Sequence, residues 1–137
     1  MFEQYTMKIQ IEARVLGDIS INHIVPTAVK YQNRLMENVL GLKEIYGDDY
    51  KNLAGNRIEL IKEISDRVTA IKTGVNEMVE ARKVANKMEN EKEKAKAYSK
   101  TVAPFLDKIR IHIDKLELIV DDEIWPLPKY RELLFSS

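Results

Sequence analysis

From Leu53 to Met78 one spacing dominates: Leu53, Arg57, Ile61, Ile64, Val68, Ile71, Val75 and Met78 follow one another at steps of three or four residues. That spacing lays a stripe along one side of an α-helix and approaches the heptad seam of a coiled coil. A half-buried strand would need sustained alternation of period two, and no segment of the chain carries it. The stripe predicts a helix reaching about Met88, roughly 50 Å long at about 1.5 Å per residue. Gly55 and Gly74 fall inside it, each at a cost of about 1 kcal/mol relative to alanine, and close helix contacts are expected there.

Three further segments carry the same period. Phe2 to Ile24 places Tyr5, Ile9, Ala13, Leu16 and Ile19 on one stripe; Met7 to Ile11 alternates apolar and polar, but the stripe outlasts it. Pro26 ends or kinks this helix, or starts the next, because it lacks an amide donor and crowds the preceding turn. The second segment uses Ala28, Tyr31, Leu35, Val39, Leu42 and Ile45. Gly47 then offers a left-handed cap, and Asp48 or Asp49 a fresh N-cap. Asn90 to Lys96 is rich in charge, either a turn or an exposed continuation of helix. The last segment uses Ala95, Tyr98, Val102, Leu106, Ile109, Ile113, Leu116 and Val120, with Pro104 marking a kink or a late start. Long helices with short connections pack antiparallel. The expected fold is all-α: one helical domain over 1–137, an elongated up-down bundle of about four long helices, with an extended, proline-containing C-terminal tail.

Composition agrees with this architecture. An apolar fraction of 45% supports a core, while 32% charged residues with only four prolines and five glycines favour long helices with charged outer faces. The 22 basic residues are balanced by 22 acidic ones and interleaved with them, as in Glu91-Lys92-Glu93-Lys94. The basic footprint of nucleic-acid binding is not visible, so no nucleic-acid partner is expected. The absence of cysteine removes disulfides, thiolate metal sites and cysteine nucleophiles together. No apolar run approaches the roughly 20 residues of a membrane span, and acidic Glu3 does not fit a signal peptide. No membrane and a cytoplasmic location are the expectation.

Motifs that carry chemistry are missing. The di-iron signature of helical bundles requires Glu-x-x-His pairs, but Ser20 stands three residues before His23 and Ile109 three before His112. His23, beside Pro26, reads as a packing or capping residue, and His112, between Ile111 and Ile113, as a partly buried structural one. Asp121-Asp122-Glu123 is the densest acidic cluster; with no calcium loop around it, pairing with Lys129 or Arg131 is expected, a divalent cation being the other reading. The glycines at 17, 41, 47, 55 and 74 form no nucleotide-binding spacing, and no Gly-x-Ser-x-Gly elbow occurs. Arg14, Arg34, Arg57 and Arg82 lie close to the apolar stripes; together in the interior they would suit a carboxylated substrate, while at stripe edges they snorkel or form surface pairs. No catalytic, cofactor-binding or metal-binding residue is assigned.

The most informative segment is Ile124-Trp125-Pro126-Leu127-Pro128-Lys129-Tyr130-Arg131-Glu132-Leu133-Leu134-Phe135, which holds the only tryptophan. Its Trp-Pro-Leu-Pro core is expected to be extended, with a short turn or helix from Lys129 to Phe135. An extended segment so apolar must pack on something, either its own helices or a neighbouring subunit or domain. Residues 124–137 are therefore read as a docking tail, with Trp125, Leu127, Tyr130, Leu133, Leu134 and Phe135 as packing or interface candidates.

Several stretches resemble a known family. Ile11-Glu12-Ala13-Arg14-Val15-Leu16-Gly17-Asp18 and Asn22-His23-Ile24-Val25-Pro26-Thr27-Ala28 resemble the start of the C-terminal helical region of type III glutamine synthetases. Tyr31-Gln32-Asn33, Met78-Val79-Glu80-Ala81-Arg82-Lys83 and residues 120–135 do so too, and the resemblance covers nearly the whole chain from about Tyr5. That family makes glutamine from glutamate, ammonia and ATP, with divalent metal held in a barrel between neighbouring subunits of large rings. Its metal, phosphate and ammonia-site residues lie upstream of this region, and none of those motifs is found here.

The resemblance therefore implies a non-catalytic C-terminal helical domain of a glutamate-ammonia ligase of nitrogen metabolism. Its role would be subunit packing and oligomer assembly. Its partners would be the upstream catalytic domain and neighbouring subunits, in a homo-oligomer, with ATP and metal needed only by the parent enzyme. Met1 would be a fragment boundary. The contrasting reading is a free-standing helical-bundle adaptor or coiled-coil scaffold whose third-helix seam pairs with a partner.

Overall fold

The computed structural model describes residues 2–126, and all the regular structure in that span is helical. Helix α1 (Phe2–Ile19) passes through a five-residue π turn, Ser20–Ile24, directly into α2 (Val25–Tyr46). Of the readings open at Pro26, a break or one continuous helix, the structure shows the continuous rod. The backbone supplies the reason. The Val25 N–H donates to the Ser20 carbonyl, five residues back instead of four. The wider turn relieves the crowding that the Pro26 ring would impose on the turn before it. Pro26 then lies in the first turn of α2, where proline is tolerated.

The same device recurs at Pro104. Helix α3 (Tyr50–Ala54) and helix α4 (Arg57–Asn86) come first, and then α5 (Glu91–Ala97) runs through a second π turn, Tyr98–Val102, into α6 (Ala103–Ile119). Here the Ala103 N–H donates to the Tyr98 carbonyl, again five residues back. Neither proline breaks its helix. Among the described residues there are therefore three long rods rather than about four: α1–α2, α4 and α5–α6.

The connections correct the expected boundaries. Gly47 and Gly55 have φ of +64° and +58° with ψ of −136° and −128°, a mirror-extended conformation open to glycine almost alone. Gly47 does terminate α2, although not in the left-handed helical region. Gly55 is not inside the third long helix; it separates α3 from α4, and α4 ends at Asn86 rather than Met88. The 30 residues of α4 span about 45 Å. Asp49 precedes α3 without capping it, and its Oδ1 accepts from the Asn52 side chain at 2.8 Å instead. Asn90 is a true N-cap: its side chain accepts from the Glu93 N–H at 3.0 Å, so the charged stretch begins a new helix.

The core lies along the inner faces of the rods. Helix α4 contributes Ile64, Val68, Ile71, Val75 and Met78. Ile9, Ala13, Ile24 and Ala28 meet them from the first rod, and Tyr98, Val102, Leu106, Ile109, Ile113 and Leu116 from the third. Burying one such large aliphatic side chain stabilises by roughly 1.5–3 kcal/mol. Leu53 is exposed and Arg57 half-buried, so the buried part of the seam begins after them.

Polar contacts set the directions. Gln32 Nε2 donates to the Ile61 carbonyl at 2.8 Å and to Ser65 Oγ at 2.7 Å, whereas Gly17 lies against Val75 and Met78. Residue numbers rise along the first rod as they fall along α4. Contacts of Arg67 with His112 and of Asn86 with Tyr98 give the same opposed order for α4 and the third rod. Among the described residues no helix is long and apolar enough to cross a membrane.

Candidate functional site

Candidate metal ligands do not gather among the described residues. Among the described residues no three of His, Asp and Glu come together in a way that could hold a metal ion. Arg14 and Arg34 are exposed, and Arg57 and Arg82 are half-buried at opposite ends of α4. Their separation of 25 residues places them roughly 37 Å apart, so these arginines form no interior anion cluster. Arg82 Nε is buried without a hydrogen-bond partner.

The two histidines differ. His23 is exposed on the π turn, so of its two readings, packing or capping, packing is corrected. His112 is half-buried as expected, beside an open groove of about 470 Å³ between α4 and α6. Arg67 Nη1 stands 3.1 Å from His112 Nδ1, so the guanidinium donates to a neutral imidazole. Burial, and then the Arg67 charge, lowers the His112 pKa below its ordinary value of 6.5.

The acidic cluster forms a turn after α6. Asp121 Oδ1 accepts from the Glu123 N–H at 3.0 Å, and the Asp121 carbonyl accepts from the Ile124 N–H at 3.2 Å. Asp121 also pairs with Arg34 on the first rod at 3.8 Å, a half-exposed contact of at most about 1 kcal/mol. Lys129 and Arg131, the expected partners, lie outside the described residues. The turn delivers Trp125 into this chain's own core, where it is 8% exposed, with Ile124 packed alongside. Leu127, Tyr130, Leu133, Leu134 and Phe135 lie outside the described residues, which end at Pro126.

The feature that the sequence reading missed is on the outer face of α1. Met7, Ile11 and Val15 are 60%, 53% and 51% exposed and follow one another at steps of four, on a single face. Ile9 and Ala13, two residues on and so about 200° around the helix, are buried. Helix α1 therefore has two apolar sides, one in the core and one turned away from it. Val29, Met36 and Leu40 are further exposed apolar residues on α2. Arg14 and Asp18 border the α1 stripe, which gives it a charged edge. Contiguous exposed apolar surface with a polar rim marks an interaction surface. The signal was in the sequence: Met7, Ile11 and Val15 form a second stripe interleaved with Ile9 and Ala13.

An all-helical domain with an apolar outer rod is the class that this geometry defines, and comparison with known proteins gives its kinship. Residues 1–43 match the family model described as glutamine synthetase C-terminal domain. The chain is 65% identical over 136 residues to a glutamine synthetase of Bacteroides fragilis (strain YCH46), covering 98% of this chain and 19% of that protein. It is 26% identical over 136 residues to a type-3 glutamine synthetase of Dictyostelium discoideum, covering 98% of this chain and 18% of that one. The resemblance read from the sequence stands: the chain is related to the C-terminal domain of type III glutamine synthetases. It spans about a fifth of the length of these two relatives.

Proposed function

We propose that this chain is the C-terminal helical part of a type III glutamine synthetase and acts without catalysis of its own, in subunit packing and oligomer assembly. The observation that carries the reading is the Met7–Ile11–Val15 stripe, which is apolar, exposed, and inside the 1–43 segment that matches the family. A helix gains nothing in its own core from a second apolar side, whereas a neighbouring domain or subunit seated there would remove it from water. The partners are the upstream catalytic domain and neighbouring subunits of a cytoplasmic homo-oligomer. ATP, divalent metal and the ligation of ammonia to glutamate belong to the parent enzyme.

The adaptor alternative has lost its main support. Its pairing surface was the seam on α4, and Ile64, Val68, Ile71, Val75 and Met78 are spent inside this chain.

The test is to replace Met7, Ile11 and Val15 together by serine in the full-length parent enzyme. The expected result is a fall in native mass by analytical ultracentrifugation, with the thermal stability of the isolated 137-residue chain preserved. Native mass and activity both unchanged would sink the assembly role of this face.

A further inference from the structure

A cleft of about 590 Å³ lies between the start of α1 and the α5 rod, away from the apolar stripe. Phe2 and Tyr5 line one side, and these residues are 46% and 41% exposed. Lys92, Lys96 and Lys100 line the other, with Ala95, which is buried, and Ser99, which is exposed, between them. Steps of four residues keep the three lysines on one helix face. Glu93 stands one helical turn from Lys96 and shares a neighbouring groove with Lys96 and Lys100, yet none of the three lysines forms an ion pair among the described residues.

We infer that this cleft is a binding site for a small organic anion with an aromatic body, of the aryl phosphate or aryl carboxylate class. Its volume falls in the range of about 300–1,000 Å³ typical of small-molecule sites, too small for a folded partner. The rings of Phe2 and Tyr5 offer faces for a flat apolar group. The lysine stems extend that apolar lining, while their ammonium groups stand at the rim. Like charges at four-residue spacing repel one another, and an anion seated among them relieves that repulsion. The cleft lies on a different face from the Met7–Ile11–Val15 stripe and uses different residues.

The experiment titrates phenyl phosphate into the 137-residue chain and follows backbone amide shifts by NMR. Saturable binding is expected, with the largest shifts at Tyr5, Ala95 and Ser99. Inorganic phosphate and phenol each offer half of the required chemistry and are expected to bind several-fold more weakly. Lys96→Gln and Tyr5→Ala should each weaken phenyl phosphate about fivefold, while Lys72→Gln, exposed on α4, leaves it unchanged. Circular dichroism of each variant checks that the fold is kept. Absent saturation, shifts centred elsewhere, equal binding of inorganic phosphate, or indifference to both Lys96→Gln and Tyr5→Ala would overturn the site. An acidic peptide that binds in preference to phenyl phosphate would overturn the small-ligand assignment in favour of a protein partner.

Discussion

Ile109 closes over Gly74 so tightly that a methyl group at position 74 would lie 3.0 Å from Ile109 Cγ1. Carbon atoms prefer about 3.5–4.0 Å, so glycine here sets how near α4 and α6 can come. Ile109 is itself 1% exposed and has little room to retreat.

Gly74→Ala therefore sets two effects against each other. Better helix propensity gains about 1 kcal/mol, and overpacking against a buried residue costs about 1–3 kcal/mol. Net destabilisation of up to about 2 kcal/mol is expected by urea unfolding. Gly41→Ala is the control, since nothing lies within 4 Å of the position its Cβ would take. It should stabilise α2 by up to about 1 kcal/mol. Equal shifts from the two substitutions would refute the packing role of Gly74.

Tyr98 is fully buried at the start of the second π turn, and its hydroxyl donates to Asn86 Oδ1 at 2.6 Å. The bond fastens the third rod to the last residue of α4. Tyr98→Phe keeps the ring and removes the donor, for a loss of about 1 kcal/mol. The loss stays modest because Asn86 is exposed and its oxygen can turn to water. A chemical denaturation midpoint identical to that of the unsubstituted chain would remove the bond from the account of stability.

His112 makes stability depend on pH. Burial and Arg67 lower its pKa in the folded state below 6.5. Above that value both states hold a neutral imidazole and His112 adds no pH dependence. As pH falls below 6.5, the unfolded chain takes up the proton first, so stability declines until the folded pKa is passed. His112→Gln should flatten the slope in that window. Unfolding measured at intervals between pH 5 and 8 checks this, and an unchanged slope would assign it to other groups.

Much of the fold was legible because the apolar period reports directly on burial. Ile64, Val68, Ile71, Val75 and Met78 were picked out by spacing and all are buried. The two glycines of the third segment show where that logic stops. Gly74 lies in the helix under Ile109, while Gly55 adopts a positive φ and ends a helix. Spacing cannot separate them, because it carries no information on backbone dihedrals. Pro26 and Pro104 are similar: helix or break depended on a π turn that has no residue signature of its own.

The candidate surface was legible only in part. Reading one stripe along α1 hid the second, since Met7, Ile11 and Val15 satisfy the same period as the core residues between them. Lys92, Lys96 and Lys100 were concealed by the acids interleaved with them, and only the fold sets the three opposite Phe2 and Tyr5. Asp121 found Arg34 rather than a neighbour in sequence, because the turn after α6 folds back against the first rod.

Each π turn inserts one residue beyond the α-helical repeat, and so works as a fixed phase offset between the two halves of its rod. If the same residues closed into an ordinary α turn at Ser20–Ile24, the offset would vanish and α1 would rotate by about 100° relative to α2. Ile9 and Ala13 would leave the core, and a different set of side chains would turn inward. The angular relation between what the first rod buries and what it displays is thus held by one extra peptide unit.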